Sequence, residues 1–231
     1  MKNLCIIPAR GGSKRIPKKN IIDFYGKPLI AYSIENALHS GIFDEVFVSS
    51  DDEEIQNVAL AFGAKVLPRA KELSDDYTPS SAVIKNAIEI LAAKGKKYDN
   101  VCCLYATAPL LKTSFLQEAF KTFIANDSLF LFSATYFDFA IQRAFYLDKQ
   151  KKVHMFDESS YFKRSQDLTQ AYHDAGIFYF GKSEAWLEEK MIFKPYSSAF
   201  ILPKTLVCDI DTFEDLEFAK TLFRFHNEST L

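Results

Sequence analysis

The chain has 231 residues, 48% of them hydrophobic and 25% charged, with a formal net charge of −2. That length supports one domain with a full core. The near-neutral charge excludes general attraction to nucleic acid or to an anionic membrane, so any anion site must be local. No apolar run approaches the ~18 residues of a membrane-spanning helix, and the N-terminus lacks the layout of a secretory signal.

Four cysteines, Cys5, Cys102, Cys103 and Cys208, fall in apolar strand-like runs without metal-ligand spacing. Reduced core thiols and a cytoplasmic protein are the expectation. Aromatic content is the unusual feature, with 22 Phe and 11 Tyr, much of it crowded between positions 130 and 180. Such density predicts an extra layer or a subunit interface there.

In chain order, residues 4–7 form a short apolar run that reads as a buried strand. Residues 28–41 read as a helix, with Pro28 suited to the first turn and Gly41 to the stop. A strand at 46–48 ends at Ser49, Ser50, Asp51 and Asp52, a natural cap for a helix through Phe62. Another strand covers 65–67, so this first third alternates strand and helix, the sign of a parallel sheet. A polar loop then opens a helix over 80–93, followed by a strand at 101–105, a helix at 114–125 and a strand at 129–135. Beyond Tyr136 the pattern changes: 144–147 and 153–156 read as a hairpin, and 177–180 as a strand. A last strand near 205–209 leads into a helix over 212–225. The whole chain, 1–231, reads as a single α/β domain with an insertion of about 136–175, too short to fold alone.

The loop after the first strand carries the chemistry. It holds two glycines and five cations, Arg10, Lys14, Arg15, Lys18 and Lys19. Glycines let successive backbone N–H groups approach an anion, and cationic side chains around them suit a polyphosphate. Neither the P-loop spacing nor G-x-G-x-x-G is present. The other pattern is Asp209-Ile210-Asp211. On an extended segment both carboxylates project to one face and can share a hard cation such as Mg2+. Taken alone, the same residues read as a solvated strand end and a helix cap.

The run IPARGGSKRIPKKN at 7–20 resembles the signature of the CMP-sugar-acid synthetases, the cytidylyltransferases that activate sialic and related nonulosonic acids. The resemblance implies that Arg10 and Lys14 hold the triphosphate of CTP within a loop that includes Gly11, Gly12 and Ser13, and that Asn20 contacts the nucleotide. It further implies nucleotide contacts from Ser50, Asp51, Arg69 and Ser80 or Ser81, and a catalytic magnesium on Asp209 and Asp211, whose D-x-D-T pattern is intact. The YATAP run at 105–109 resembles the family's Q-P-T-S-P, with Tyr105 where sialic acid enzymes have a glutamine. Thr107 belongs to that run, and Arg143, Arg164, Gln166, Tyr172, His173 and Asp174 are the remaining sugar-side candidates.

The implied fold is a three-layer Rossmann-like nucleotidyltransferase with a mostly parallel sheet, its insertion pairing two subunits as a homodimer. The implied reaction transfers CMP from CTP to the anomeric hydroxyl of a nonulosonic acid. YATAP and RSQDL…AYHDAG are most like the members that act on pseudaminic acid, with legionaminic, sialic or Kdo activation as alternatives. A non-catalytic nucleotide-binding regulator is the reading from a different class.

Overall fold

The computed structural model describes residues 1–228, and its order of elements follows from where apolar residues alternate. Strand β1 (Asn3–Pro8) turns Cys5 and Ile7 to one face and Leu4 and Ile6 to the other, all of them buried. A sheet buried on both faces needs helices on both, so a three-layer α/β/α arrangement results. After the basic loop, β2 (Asp23–Phe24) and β3 (Lys27–Pro28) form a small hairpin that leads into α1 (Leu29–His39). Then come β4 (Glu45–Ser50), α2 (Glu53–Ala61), β5 (Lys65–Pro68), α3 (Ser80–Ala93), β6 (Asn100–Leu104) and α4 (Thr113–Ala125). The second half comprises β7 (Phe130–Tyr136), the hairpin of β8 (Phe145–Leu147) and β9 (Val153–Met155), β10 (Tyr172–Lys182), α5 (Ser183–Leu187), β11 (Ser197–Ile201) and α6 (Phe213–Glu228).

Seven strands form the central sheet in the order β11-β7-β10-β6-β1-β4-β5. Only β10 runs against the others, being antiparallel to both β6 and β7. One face packs Ile30, Ile34, Leu116 and Phe123 against the sheet, and the other packs Ile84, Ile88, Leu91 and Trp186. A third apolar group, Ile16, Phe24, Leu29, Ile210, Leu216 and Ala219, welds the basic loop to the start of α6. That contact brings two segments almost 200 positions apart to the same sheet end.

Two expectations need correction, and one strand was missed. Residues 205–209 form no strand: Lys204–Leu206 is a 3-10 turn, and the chain then runs unpaired to Asp211. The strand at that sheet edge is β11, whose polar Ser-Ser start hides it from pattern reading, since an edge strand needs apolar residues on fewer sides. Strand β10 begins at Tyr172, inside the stretch expected to be insertion, because its first half pairs with β7 through Tyr172–Tyr136 and His173–Thr135. The hairpin of β8 and β9 forms as expected, and Phe145, Tyr146, Leu147 and Val153 on it are exposed.

Candidate active site

The basic loop leaves the C-terminal end of β1, the end at which open α/β sheets bind ligands. It is tied down by its own polar groups. Asn20, buried, donates its side-chain amide to the Arg10 carbonyl at 2.9 Å, and Gly11 N donates to Asp51 Oδ1 at 3.0 Å. Gly11 is required for space: a Cβ there would lie 2.6 Å from Asp52 Oδ2 and 2.8 Å from Asp52 Cβ. Gly12 faces open space.

Beside the loop lies a cavity of about 560 Å³ whose wall includes Arg10, Ser13, Lys14, Asn20, Arg69 and Asp211. Its cations are held by carboxylates. Arg10 Nη1 donates to Asp76 Oδ1 and to the Asp75 carbonyl, both at 2.7 Å, and Lys14 pairs with the same Asp76. These two bonds, Lys14 first, hold the Asp76 carboxyl below its usual range. On the opposite wall Asp211 is bracketed by Arg15 Nη2 at 2.8 Å and Lys19 Nζ at 3.1 Å, and Lys19 also donates to the Ile210 carbonyl at 2.6 Å. Arg69 is buried and anchored on Ser49, with Nη2 donating to its carbonyl at 2.7 Å. Burial lowers its pKa, though Asp51 nearby opposes the shift. A pocket of this size with five basic side chains on its wall, Arg10, Lys14, Arg15, Lys19 and Arg69, suits a polyanion the size of a nucleoside triphosphate.

Asp209 keeps access to solvent, yet surrounding protein atoms and the neighbouring Asp211 push its pKa up. Two carboxylates of which one resists ionisation are a donor set that a cation would relieve. Among the described residues no group of three or more His, Cys, Asp or Glu side chains could hold a metal. A hard ion such as magnesium needs only one or two protein carboxylates, which Asp209 and Asp211 could offer, but Asp209 lies outside the cavity wall and Asp211 is paired with Arg15 and Lys19.

A family model for cytidylyltransferases matches residues 4–229. The chain belongs to the cytidylyltransferase family. A pseudaminic acid cytidylyltransferase of Campylobacter jejuni subsp. jejuni serotype O:2 is 68% identical over 230 residues, 99% of each chain. An N-acylneuraminate cytidylyltransferase of Escherichia coli O18:K1:H7 is 32% identical over 231 residues, covering 100% of this chain and 54% of that one. Among solved structures, CMP:2-keto-3-deoxy-manno-octonic acid synthetase complexed with CTP superposes with a TM-score of 0.72 at 17% identity, covering 98% of this chain and 100% of that one. At that identity the likeness speaks for the fold, which agrees with the sheet order described above.

This cytidylyltransferase collects only part of the sequence-predicted site in one place. Arg10, Ser13, Lys14, Asn20, Arg69, Ser80, Tyr105, Thr107 and Asp211 all line the cavity. Ser50 does not: it is fully buried, and its Oγ accepts from Asp52 N at 3.1 Å inside the β4–α2 turn. Ser81 does not either, because one helical step turns it about 100° from Ser80. Asp51 braces Gly11 from outside the wall.

The sugar-side candidates scatter. Arg143 and His173 line a second cavity of about 830 Å³ with Phe137, Phe139 and Phe145. Arg164 pairs with Asp167 at 2.7 Å on the surface, and Gln166 and Tyr172 are exposed outside both cavities. Asp174 is occupied by intramolecular bonds to Gly176 and Tyr179. Sequence reasoning counted Arg15 and Lys19 among the loop's cations but gave neither the carboxylate partner, Asp211, that the structure shows. Asp76, in a polar loop without a motif, offered no signal.

Proposed function

We propose that the protein transfers CMP from CTP to pseudaminic acid and releases pyrophosphate. The observation that carries this reading is the 68% identity over 99% of both chains to a pseudaminic acid cytidylyltransferase, with the cationic cavity in place. The anomeric hydroxyl attacks the α-phosphorus in line and gives up its proton to water; an O–P bond forms as the bond between the α-phosphorus and its bridging oxygen to the β-phosphate breaks, and pyrophosphate leaves. Arg10 and Lys14 bind the triphosphate and follow the charge that builds on the departing pyrophosphate. For that they exchange Asp76 for phosphate oxygens, which their remaining donors already favour. Arg69 and Ser80 line the same cavity and would contact the nucleoside. Asp209 and Asp211 would hold magnesium, which when bound neutralises phosphate charge.

The second cavity supplies the sugar side of the reading. Pseudaminic acid has a methyl at C9 where sialic acid has a hydroxyl, and Phe137, Phe139 and Phe145 give an apolar wall for it. Arg143 in the same wall suits the sugar carboxylate. Phe139, Phe145, Phe156 and Phe162 are all exposed on the insertion, a surface that a second copy of the chain would cover as a homodimer. Tyr105 at the position of the sialic acid enzymes' glutamine, and the lower identity to the N-acylneuraminate relative, weigh against sialic acid. The test is pyrophosphate release from CTP and magnesium with each sugar acid. We expect kcat/KM for pseudaminic acid to exceed that for N-acetylneuraminic acid by at least about tenfold, since the C9 hydroxyl of N-acetylneuraminic acid would be buried against an apolar wall without a hydrogen-bond partner. Equal or reversed values would refute the substrate while leaving the transfer reaction standing.

A further inference from the structure

The five cations on the wall of the first cavity are divided among three anchors. Arg15 and Lys19 share Asp211, Arg69 rests on Ser49, and Arg10 and Lys14 share Asp76. Asp76 gives one oxygen to each of its cations: Oδ1 accepts from Arg10 Nη1 at 2.7 Å, and Oδ2 accepts from Lys14 Nζ. The bonds from Lys14 and Arg10 hold its carboxyl below the usual range, so it stays charged near neutrality.

A local turn aims this carboxylate. Asp75 Oδ1 accepts from Tyr77 N at 2.9 Å, Thr78 N at 2.6 Å and Thr78 Oγ1 at 2.8 Å, which closes the backbone just after Asp76. The same segment meets the basic loop a second time, because the Asp75 carbonyl also accepts from Arg10 Nη1 at 2.7 Å. It joins buried Arg69 to Ser80 at the start of α3, and both of those residues line the cavity. With both ends anchored in the wall, the segment keeps Asp76 within reach of the two cations.

We infer that Asp76 sets how firmly the basic loop grips a phosphate chain, competing with it for Arg10 and Lys14 so that pyrophosphate is released. The inference rests on the proposed function, in which those two cations bind the triphosphate. A phosphate chain that takes their donors must break both Asp76 bonds. Its apparent affinity is therefore lowered by the fraction of molecules in which the donors are free. When the product departs, a tethered carboxylate at high effective concentration takes the donors back. Only a ligand that satisfies both cations at once offsets the two lost bonds, which favours a phosphate chain over a small monovalent anion.

The experiment is calorimetric titration of pyrophosphate, without metal or sugar acid, into the wild type, Asp76→Asn, Asp76→Ala and Glu54→Gln. Asp76→Asn keeps the shape and one acceptor oxygen while removing the charge, and Asp76→Ala removes the acceptors as well. Both should bind pyrophosphate about tenfold more tightly than the wild type, the scale of a charge-assisted bond at a partly exposed site. Glu54→Gln takes the same charge from the partner of Lys18, outside the cavity, and should stay within about twofold. The sign separates competition from support: were Asp76 only a brace, its loss would loosen Arg10 and Lys14 and weaken binding. Unchanged or weaker binding in the Asp76 variants, or equal tightening in Glu54→Gln, would overturn the inference. So would the absence of pyrophosphate binding in every variant. No turnover of CTP with pseudaminic acid by the wild type, with the titrations as expected, would instead overturn the proposed function alone.

Discussion

Substituting Gly11 by alanine tests how the basic loop is seated. The constraint is spatial, since Gly11 is not among the glycines with positive φ. Asp52 is the N-cap of α2, its Oδ1 accepting from Ile55 N at 3.0 Å, so the carboxylate cannot swing aside without opening the cap. An added Cβ would meet not only the carboxylate end at 2.6 Å but also Asp52 Cβ at 2.8 Å, an atom fixed by the backbone. Either the cap opens, at about 0.5–2 kcal/mol, or the loop recedes and Gly11 N loses Asp51, at about 1 kcal/mol. We expect a loss of about 1–2 kcal/mol. In a chain of this size that lowers Tm by roughly 2–8 °C, and the affinity for CTP should fall several-fold as Arg10 and Lys14 move with the loop. Gly12→Ala is the control, because a Cβ there meets nothing within 4 Å and should cost no more than about 0.5 kcal/mol. Asp52→Gly provides the second arm: it removes the clashing atoms while costing the cap only a few tenths of a kcal/mol or so. Scanning calorimetry and CTP titration on the four variants read both quantities. The reasoning fails if Gly11→Ala melts with the wild type, or if its full cost persists on the Asp52→Gly background.

Asp211→Asn keeps the shape that Arg15 and Lys19 pack around but removes the charge of a ligand that we propose holds magnesium. Turnover should fall by at least about a hundredfold with Tm little changed, and near-normal turnover at saturating magnesium would sink the assignment. Glu45 offers a pH test far from the site. Burial opposes its ionisation, but hydrogen bonds from Lys65, Lys96 and Tyr98 bring its pKa from 4.5 down to about 2. A depressed carboxylate contributes stability that is fully present above its unfolded pKa and lost as pH falls through its folded one. Glu45→Gln should therefore lower stability by on the order of 1 kcal/mol near neutrality, the half-exposed lysine ends screening the rest. The deficit should narrow between about pH 4.5 and about pH 2; a gap that stays constant over that window, followed by chemical denaturation, would count against the ion network.

What could be read from the sequence was local. Short continuous apolar runs placed β1, β4, β5, β6 and β7 and helical periodicity placed the helices between them, because burial of a sheet on both faces imposes that pattern within a few residues. The run of glycines and cations at 10–19 likewise announced an anion loop by its composition, and its likeness to a known signature carried the family and the expected reaction. Where residues sit relative to one another over long distances was not legible. Residues 205–209 look like a strand, yet β11 takes the sheet edge and leaves Asp209 and Asp211 on an unpaired segment. Ser50 and Ser81 carry the right chemistry but are turned away, one by a tight turn and one by a helical step. Asp174 lies in a motif that suggests sugar contact, and only the shifted register of β10 gives its carboxylate to Tyr179. Residue type and short-range periodicity are properties of a few neighbours along the chain, and sequence determined those. Which side chains share a cavity depends on strand register, bulges and packing between distant segments, such as Lys19 on Asp211, 192 positions apart, and only the tertiary structure decided that.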